Sequence, residues 1–288
     1  MKKILISIPV LSLLCACEKD VEAVPEEERM PVNISLSVET KVSDQQYEAG
    51  DAIGLYMVYA SDLVSNGNYV DNHRYVMEGG IWNSAEQLYW KDKSSLADFY
   101  CYYPQQEVRD ARVLEMQLAQ NQNTVEAYKK SDVTWGCRKQ VEPTTGRIAI
   151  PTSHIMSNLL IYLKPGAGFT AQEFAQATKT VKITNIKTAA KVDLATGAVM
   201  AYGADGYVSP LPVGDHYKAI IVPQIVRGSR NLIEVTINNV MYSAAYDFDF
   251  QTKTQHKITV TAAKMNSGLD ISIENWTIDE TDHNVTIK

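Results

Sequence analysis

Apolar side chains recur at every second position in many short segments of this 288-residue chain. In Val32–Glu39, large apolar residues occupy the even positions and polar residues the odd ones. This period of two is typical of a β-strand with one face in a core and the other in water, and we expect an antiparallel strand here. Similar segments, rich in β-branched and aromatic residues, lie at Ala52–Tyr59, Ala97–Tyr103, Arg147–Ile150, Leu159–Leu163, Thr180–Ile186, Lys218–Val222, Leu232–Asn238, Lys257–Ala262 and Leu269–Ile273. Many short strands of this kind predict an all-β fold of the sandwich type.

Turn signals separate these segments, and helix signals are few. The pair Asn238–Asn239, for example, is a turn signal between two strand segments. One short helix is expected at Thr170–Ala177, where Thr170 and Glu173 have the spacing of a capping box. A second, weaker helix signal covers Ser84–Gln87.

The length of the chain favours two domains, because a domain usually takes about 100 to 200 residues. Pro143–Gly146 forms a turn signal, and a new series of strand segments begins just after it. We therefore place the boundary at residue 152. This predicts an N-terminal β-sandwich over residues 31–152 and a C-terminal one over residues 153–288.

The first seventeen residues have the pattern of a secretory signal. Lys2 and Lys3 precede an apolar stretch of about a dozen residues, and the segment ends in Leu14, Ala16 and Cys17. This ending resembles a bacterial lipobox, which predicts cleavage after Ala16 and a diacylglycerol on Cys17. Acyl chains contribute about 0.8 kcal/mol per buried methylene, so they hold a protein at a membrane without a spanning helix. The alternative is an ordinary secreted protein whose signal ends near a cysteine.

Charge and composition narrow the list of partners. The acidic segment 17–30 is predicted to be a solvated spacer between lipid and domain. The formal net charge is -7, and no cluster of Lys and Arg is visible, so nucleic acid is not expected as a partner. A hydrophobic content of 45% is typical of a globular chain that buries a core.

Two cysteines remain in the predicted folded body. Cys101 and Cys137 could form a disulfide in an exported protein, although free cysteines in a core are the commoner case. Two thiols and scattered histidines are too few ligands for a zinc site. Zinc and other cofactors are therefore not expected.

Recognisable catalytic motifs are absent from the sequence. It contains no GxSxG, no GxxxxGK[ST] and no HExxH, so common hydrolase, nucleotide and zinc-protease mechanisms lack local support. Asp247 and Asp249 lie on one face of a strand, but calcium needs six to eight oxygen ligands. We expect a solvated strand face there, and we predict that the chain is not an enzyme.

Several blocks, taken in order behind the lipobox, resemble the fimbrillin family of pilus subunits from Gram-negative anaerobes. The blocks are Tyr47–Tyr56 (YEAGDAIGLY), Ala97–Pro104 (ADFYCYYP), Ile148–Ser157 (IAIPTSHIMS), Val222–Gln224 and Ile273–Trp276. The resemblance spans nearly the whole mature chain.

The resemblance implies two transthyretin-like β-sandwiches of about seven strands each and assembly with other pilus subunits by strand exchange. In that scheme a protease releases the first strand, and a terminal segment of another subunit fills the groove by β-augmentation. Here the strand to be released would be Pro31–Glu39. The donor would be the tail Thr277–Lys288, where Val285 and Ile287 alternate with polar residues.

The chain departs from the family pattern at the candidate processing point. Many members have an arginine after a threonine downstream of the first strand, whereas here Lys41 follows Thr40. Arg29, in the spacer, is the other candidate for processing. An uncut subunit keeps its lipid and its own strand, so we predict an anchor or accessory subunit of a surface fimbria rather than a shaft subunit.

Two other functions are kept open by the sequence. A surface glycan- or ligand-binding lipoprotein would use aromatic residues such as Trp82, Tyr89 and Trp90 as sugar platforms, although core packing is the commoner role of tryptophan. An enzyme would gather polar groups from distant strands into one pocket. A host or bacterial surface receptor is a further candidate partner.

Overall fold

The computed structural model describes residues 29–38, 47–228, 230–264 and 269–270 of the chain. This part is all-β, as the alternation predicts. The elements, in chain order, are β1 (Asn33–Val38), β2 (Ala52–Tyr59), β3 (Val70–Glu78), β4 (Ile81–Asn83), β5 (Ala97–Tyr103), β6 (Leu114–Gln117), α1 (Val125–Ser131), β7 (Thr134–Val141), β8 (Arg147–His154), β9 (Ser157–Pro165), α2 (Ala171–Gln176), β10 (Lys179–Asp193), β11 (Ala198–Val208), β12 (Leu211–Val213), β13 (His216–Ile221), β14 (Gln224–Val226), β15 (Asn231–Ile237), β16 (Val240–Ala245), β17 (Phe248–Phe250), β18 (Gln255–Ala262) and β19 (Leu269–Asp270).

The N-terminal half forms one seven-stranded sheet in the order β1-β8-β7-β5-β2-β3-β4. The sheet curls so that β1 at one edge contacts β4 at the other, and the segment that follows β4 bonds to the segment that precedes β1. The Val32 N–H donates to the Leu88 carbonyl at 2.8 Å, and the Trp90 N–H donates to the Met30 carbonyl at 2.9 Å. The concave face therefore encloses a core of its own, which we call the groove core; it contains Val32, Ile34, Ile53, Leu55, Tyr75, Trp82, Trp90, Phe99, Ile148 and Ile150.

The direction of β1 differs from the expectation. β1 runs parallel to β8, with Asn33 opposite Arg147 and Val38 opposite Thr152, whereas the alternating pattern was expected to form an antiparallel strand. The expectation was wrong because apolar alternation has a period of two in both kinds of pairing. Direction depends instead on how the chain returns over a long connection, which alternation does not report.

The C-terminal half packs two five-stranded sheets face to face. Their orders are β11-β10-β15-β16, with β6 also pairing with β10, and β12-β13-β9-β18-β19. Aliphatic residues from both sheets fill the space between them, and they include Leu159, Ile161, Ile183, Val235 and Ile258. The chain passes from the first sheet to these sheets between His154 and Ser157.

A third core joins the two halves, and we call it the joint core. Tyr56, Tyr100 and Tyr102 lie on the convex face of the first sheet, and Val192 and Ile220 face them from the C-terminal half. All five side chains are at most 2% exposed. The strand β6, which comes from the first half of the chain, pairs with β10 at the edge of this core.

The helix predictions had opposite outcomes. Helix α2 has the predicted capping box, in which the Thr170 hydroxyl accepts from the Glu173 N–H and the Glu173 carboxylate accepts from the Thr170 N–H. The prediction of a helix at Ser84–Gln87 is wrong. Ser84 instead forms a local turn in which its hydroxyl donates to the Glu86 carbonyl at 2.5 Å. The predicted turn at Asn238–Asn239 is confirmed, with φ angles of 47° and 68° between β15 and β16.

Gly54 tests the packing of the joint core. A Cβ added at Gly54 would overlap the Tyr102 ring and the Asn72 side chain, and overpacking of this kind typically costs about 1–3 kcal/mol. We expect Gly54→Ala to lower the free energy of unfolding by about that amount, measured by denaturant titration. Gly146→Ala is the matched control, because its Cβ would meet only the Thr144 hydroxyl at 3.4 Å. Equal losses in the two variants would contradict the packing argument.

Candidate assembly site

The site is the groove in the curled sheet that β1 fills. Val32 and Ile34 point into the groove core and are only 1% and 2% exposed. Leu36, the next apolar residue, is partly buried against the same core. The polar residue between them, Ser35, lies on the other face of the strand and is half-buried. The apolar residues of this segment therefore face the groove core and the polar residues lie on the other face, as the sequence alternation predicts.

The backbone of this segment is bonded on two sides in succession. Residues 30–32 pair with residues 88–90 across the closing edge, where Pro31 lies opposite Tyr89 in an antiparallel bridge. Residues 33–38 then pair in parallel with β8. The segment thus links β8 in the sheet to residues 88–90, which follow β4 in the chain.

Side chains hold both ends of the segment. The Tyr75 hydroxyl and the Gln87 amide donate to the Val32 carbonyl at 3.4 and 3.3 Å. At the other end the Thr152 hydroxyl donates to the Ser37 carbonyl at 3.3 Å. The carbonyls at the two ends of the groove are therefore satisfied by the protein itself.

The groove cannot stay empty at low cost. Burying a side chain of the size of valine or isoleucine contributes about 1.5–3 kcal/mol, and the segment that fills the groove buries two of them, Val32 just before β1 and Ile34 within it. Its removal would also expose Ile148 and Ile150 of β8, which are 4% and 0% exposed in the intact fold. An apolar strand edge left open in this way is a template for another strand.

Tyr47 closes the end of the groove next to Thr152. Its hydroxyl lies 2.8 Å from the Thr134 hydroxyl and 3.3 Å from that of Thr152. Its ring contacts Trp82 edge-to-face with centroids 5.1 Å apart. Burial raises the pKa of Tyr47 to about 12, so the hydroxyl stays protonated and can donate.

The turn after Tyr47 explains why the block YEAGD has its sequence. The Asp51 carboxylate accepts from the Glu48 N–H at 2.7 Å and from the Tyr103 hydroxyl at 3.1 Å. Gly50 lies in the left-handed region with φ of 95°, where glycine is favoured. The turn therefore fixes Tyr47 relative to β5, and it is the part of the site that carries the family-like motif.

The structure describes one of the two candidate processing residues. Arg29 is exposed, and its guanidinium lies 5.8 Å from the centroid of the Tyr89 ring. Lys41, the predicted lipid-bearing Cys17, the cleavage residue Ala16 and the tail residues Val285 and Ile287 lie outside the described residues. Within the described ranges, no helix is long and apolar enough to cross a membrane.

The two cysteines are free thiols. Cys101 lies opposite Gly136 and Cys137 lies opposite Tyr100 on the neighbouring strand, so the two side chains point to opposite faces of the sheet. Cys101 belongs to the groove core and Cys137 packs against the joint core. A disulfide does not fit this geometry, and burial raises the pKa of both thiols.

The aromatic residues of the glycan hypothesis are mostly interior. Trp82 and Trp90 are 6% and 4% exposed and belong to the groove core, so they offer no platform to a sugar. Tyr89 is half-buried beside Arg29.

Asp247 and Asp249 are both exposed, and the described residues contain no group of His, Cys, Asp or Glu side chains that could hold a metal ion.

One buried polar pair has no signal in the sequence. His154, at the end of β8, lies with its Nδ1 2.8 Å from Oδ1 of Asp132 at the end of α1, and both side chains are 4% exposed. The pair ties α1 to the sheet near Tyr47 and Thr134. Residues twenty-two positions apart share no periodic signal, so no pattern could have indicated this contact.

Comparison with known proteins identifies the family. A family model described as fimbrillin-like matches residues 40–276. A proposed fimbrium subunit of Bacteroides uniformis, Fim1C, is 26% identical over 285 residues, which cover 92% of this chain and 91% of that protein.

Solved structures share the fold. A proposed cell adhesion protein of Bacteroides uniformis has a TM-score of 0.65 and 23% identity, covering 88% of this chain and 100% of the other. One of Bacteroides ovatus has a TM-score of 0.64 and 16% identity, covering 88% and 99%. The chain belongs to the fimbrillin-like family, which consists of fimbrial and adhesion subunits and not of enzymes.

Proposed function

We propose that this chain is a structural and adhesive subunit of a cell-surface fimbria, anchored in the outer membrane through lipid on Cys17. Assembly with other subunits proceeds by β-strand exchange. The family match supports the fimbrial role, and the observation that carries the exchange is the groove filled by β1. Main-chain hydrogen bonds along β8 supply strength in such an exchange, and the pockets for alternate side chains supply specificity.

The tail of the chain has the chemistry of the strand that it would replace. Asn284–Lys288 reads NVTIK, and Asn33–Ser37 reads NISLS. In this alignment Val285 takes the position of Ile34 and Ile287 that of Leu36, with a hydroxyl residue between them in both segments. The alignment supports a register in which a donor tail runs parallel to β8 with its apolar residues in the pockets of β1.

The sequence provides 18 residues for a donor segment beyond the last described strand. The last described strand, β19, ends at Asp270 beside β18, and residues 271–288 follow it in the sequence. At about 3.3 Å per residue an extended tail of this length spans roughly 60 Å.

Retention of β1 favours a place at the base of the fimbria or an accessory place rather than the shaft. A subunit that keeps β1 has a filled groove and cannot accept a donor. Cleavage after Arg29 would detach the lipid and still leave β1 bonded to β8, whereas cleavage after Lys41 would free the whole strand. We infer that neither cut occurs in the anchored form.

The lipid anchor predicts a specific mature N-terminus. We expect wild-type cells to incorporate labelled palmitate into this protein, and Cys17→Ala to abolish the label, because the acylated thiol is lost. N-terminal analysis of the surface form is expected to start at residue 17. A mature protein that begins beyond residue 41 would rule out the anchor version of the proposal.

A variant in which β1 leaves the groove is expected to bind the tail as a peptide. Ile34→Asp places an unpaired carboxylate in the groove core, so we expect β1 to detach and the free energy of unfolding to fall by about 3 kcal/mol or more. A fluorescent peptide of residues 277–288 should then bind the variant and not the wild type, measured by fluorescence anisotropy.

Two controls isolate the groove in this experiment. Ser35→Asp changes the same strand on its other face and should leave the peptide unbound. A peptide with Val285→Asn and Ile287→Asn should not bind Ile34→Asp. Equal binding of the two peptides, or no binding by a variant that remains folded, would contradict exchange at this groove while leaving the family assignment untouched.

A further inference from the structure

The outer edge of β11 is an open strand edge over residues 198–202. β11 is bonded along its length to β10 on one side, from Asp193 opposite Ala198 to Ile183 opposite Val208. No strand within the described ranges pairs with the other side of residues 198–202. A row of unpaired N–H and C=O groups of this kind is a template for another strand.

The open part of the edge is uncharged and apolar. Residues 198–202 read AVMAY, and Met200 is 59% exposed. A bulge at Gly203–Ala204, where two residues lie opposite the single residue Thr188, ends this regular stretch. Natural edges are usually protected by charges, proline or bulges, and residues 198–202 contain none of them.

The edge is held rigid at its start. The Trp135 indole N–H donates to the Leu194 carbonyl at 2.8 Å, and the ring packs against Gly197 in the turn between β10 and β11. Val199 and Ala201 pack against the joint core on the inner face. Met200, on the outer face, is therefore presented on a fixed backbone.

We propose that this edge pairs with the same edge of a second copy of the chain, antiparallel and centred on Met200. Such a two-fold pairing puts Met200 opposite Met200, Ala198 opposite Tyr202 and Val199 opposite Ala201. Tyr202 and Val199 then each face an alanine, and Met200 faces Met200. No charged residue lies opposite another charged residue. This surface is separate from the groove of β1, so the inference does not depend on strand exchange.

The charged residue next to the edge repels its counterpart in the second copy only weakly. Lys191, which lies beside Met200 on β10, is paired with Glu115 at 3.4 Å. In the two-fold arrangement the two Lys191 residues are three strand spacings apart, about 14 Å. That distance exceeds the screening length of about 10 Å at 0.1 M salt, so repulsion between them is weak.

The opposite edge of the same sheet provides a matched control. Met241 of β16 is 66% exposed, slightly more than Met200. We compare Met200→Cys with Met241→Cys in the full chain, with Cys15, Cys17 and Cys137 replaced by serine and the buried Cys101 retained. Directly opposed residues have Cβ atoms about 4.5–5.5 Å apart, so mild oxidation should cross-link Met200→Cys into a disulfide dimer on non-reducing gels. Met241→Cys should stay monomeric.

Sedimentation measures the pairing without a cross-link. The serine background should dimerise with rising concentration, Met200→Lys should weaken the dimer by roughly tenfold or more because two lysines would be opposed, and Met241→Lys should leave it unchanged. Circular dichroism verifies that the variants are folded. A folded Met200→Cys chain that does not cross-link, or cross-linking that is equal at both positions, would overturn the proposal.

Discussion

The closure of the first sheet by β1 is the constraint on which the rest of the N-terminal half depends. Val32 and Ile34 fill the groove core, and the same segment bonds to residues 88–90 and to β8. Closure by a strand from the very start of the fold means that this core is complete only when residues more than a hundred positions apart in the sequence have met. Non-local pairing of this kind is paid for in loop entropy before its contacts stabilise the fold.

The joint core limits how independently the two halves can behave. Tyr56, Tyr100 and Tyr102 cover one side of it, and the side chains of β10 and β13 cover the other. Because β5 supplies Phe99 and Cys101 to the groove core and Tyr100 and Tyr102 to the joint core, both faces of one strand are buried. A change in the packing of the groove core therefore acts on β5, whose other face contacts the C-terminal half.

Sequence patterns predicted strands well where one face or both are buried and poorly elsewhere. β2, β5, β9 and β18 were predicted because their apolar residues are dense, whereas β3 (VDNHRYVME) buries only Tyr75 fully and left no alternation to detect. The long edge strand β11 was missed for the same reason, since most of its residues are exposed and it contains two glycines. Burial, rather than strand formation itself, is what the alternation reports.

The site was predicted only in part. Its strand came from alternation, and its exchangeable role came from the family resemblance. Tyr47 could not be placed, because its hydroxyl meets Thr134 and Thr152 across 87 and 105 positions of sequence. For the same reason the sequence could not decide whether Cys101 and Cys137 are bonded. The faces on which they lie depend on the register between β5 and β7.

The proposed exchange also implies that assembly is controlled by cleavage rather than by affinity. β1 and the tail present nearly the same side chains to the groove, NISLS against NVTIK, so the pockets discriminate little between them. β1 is covalently joined to the fold, however, and such a link raises the effective concentration of the strand to about the millimolar range. A free tail at micromolar concentration loses this competition by about a thousandfold even at equal intrinsic affinity. A subunit of this design accepts a donor only after the peptide bond that holds its own strand has been cut, and an uncut copy ends the chain of subunits where it stands.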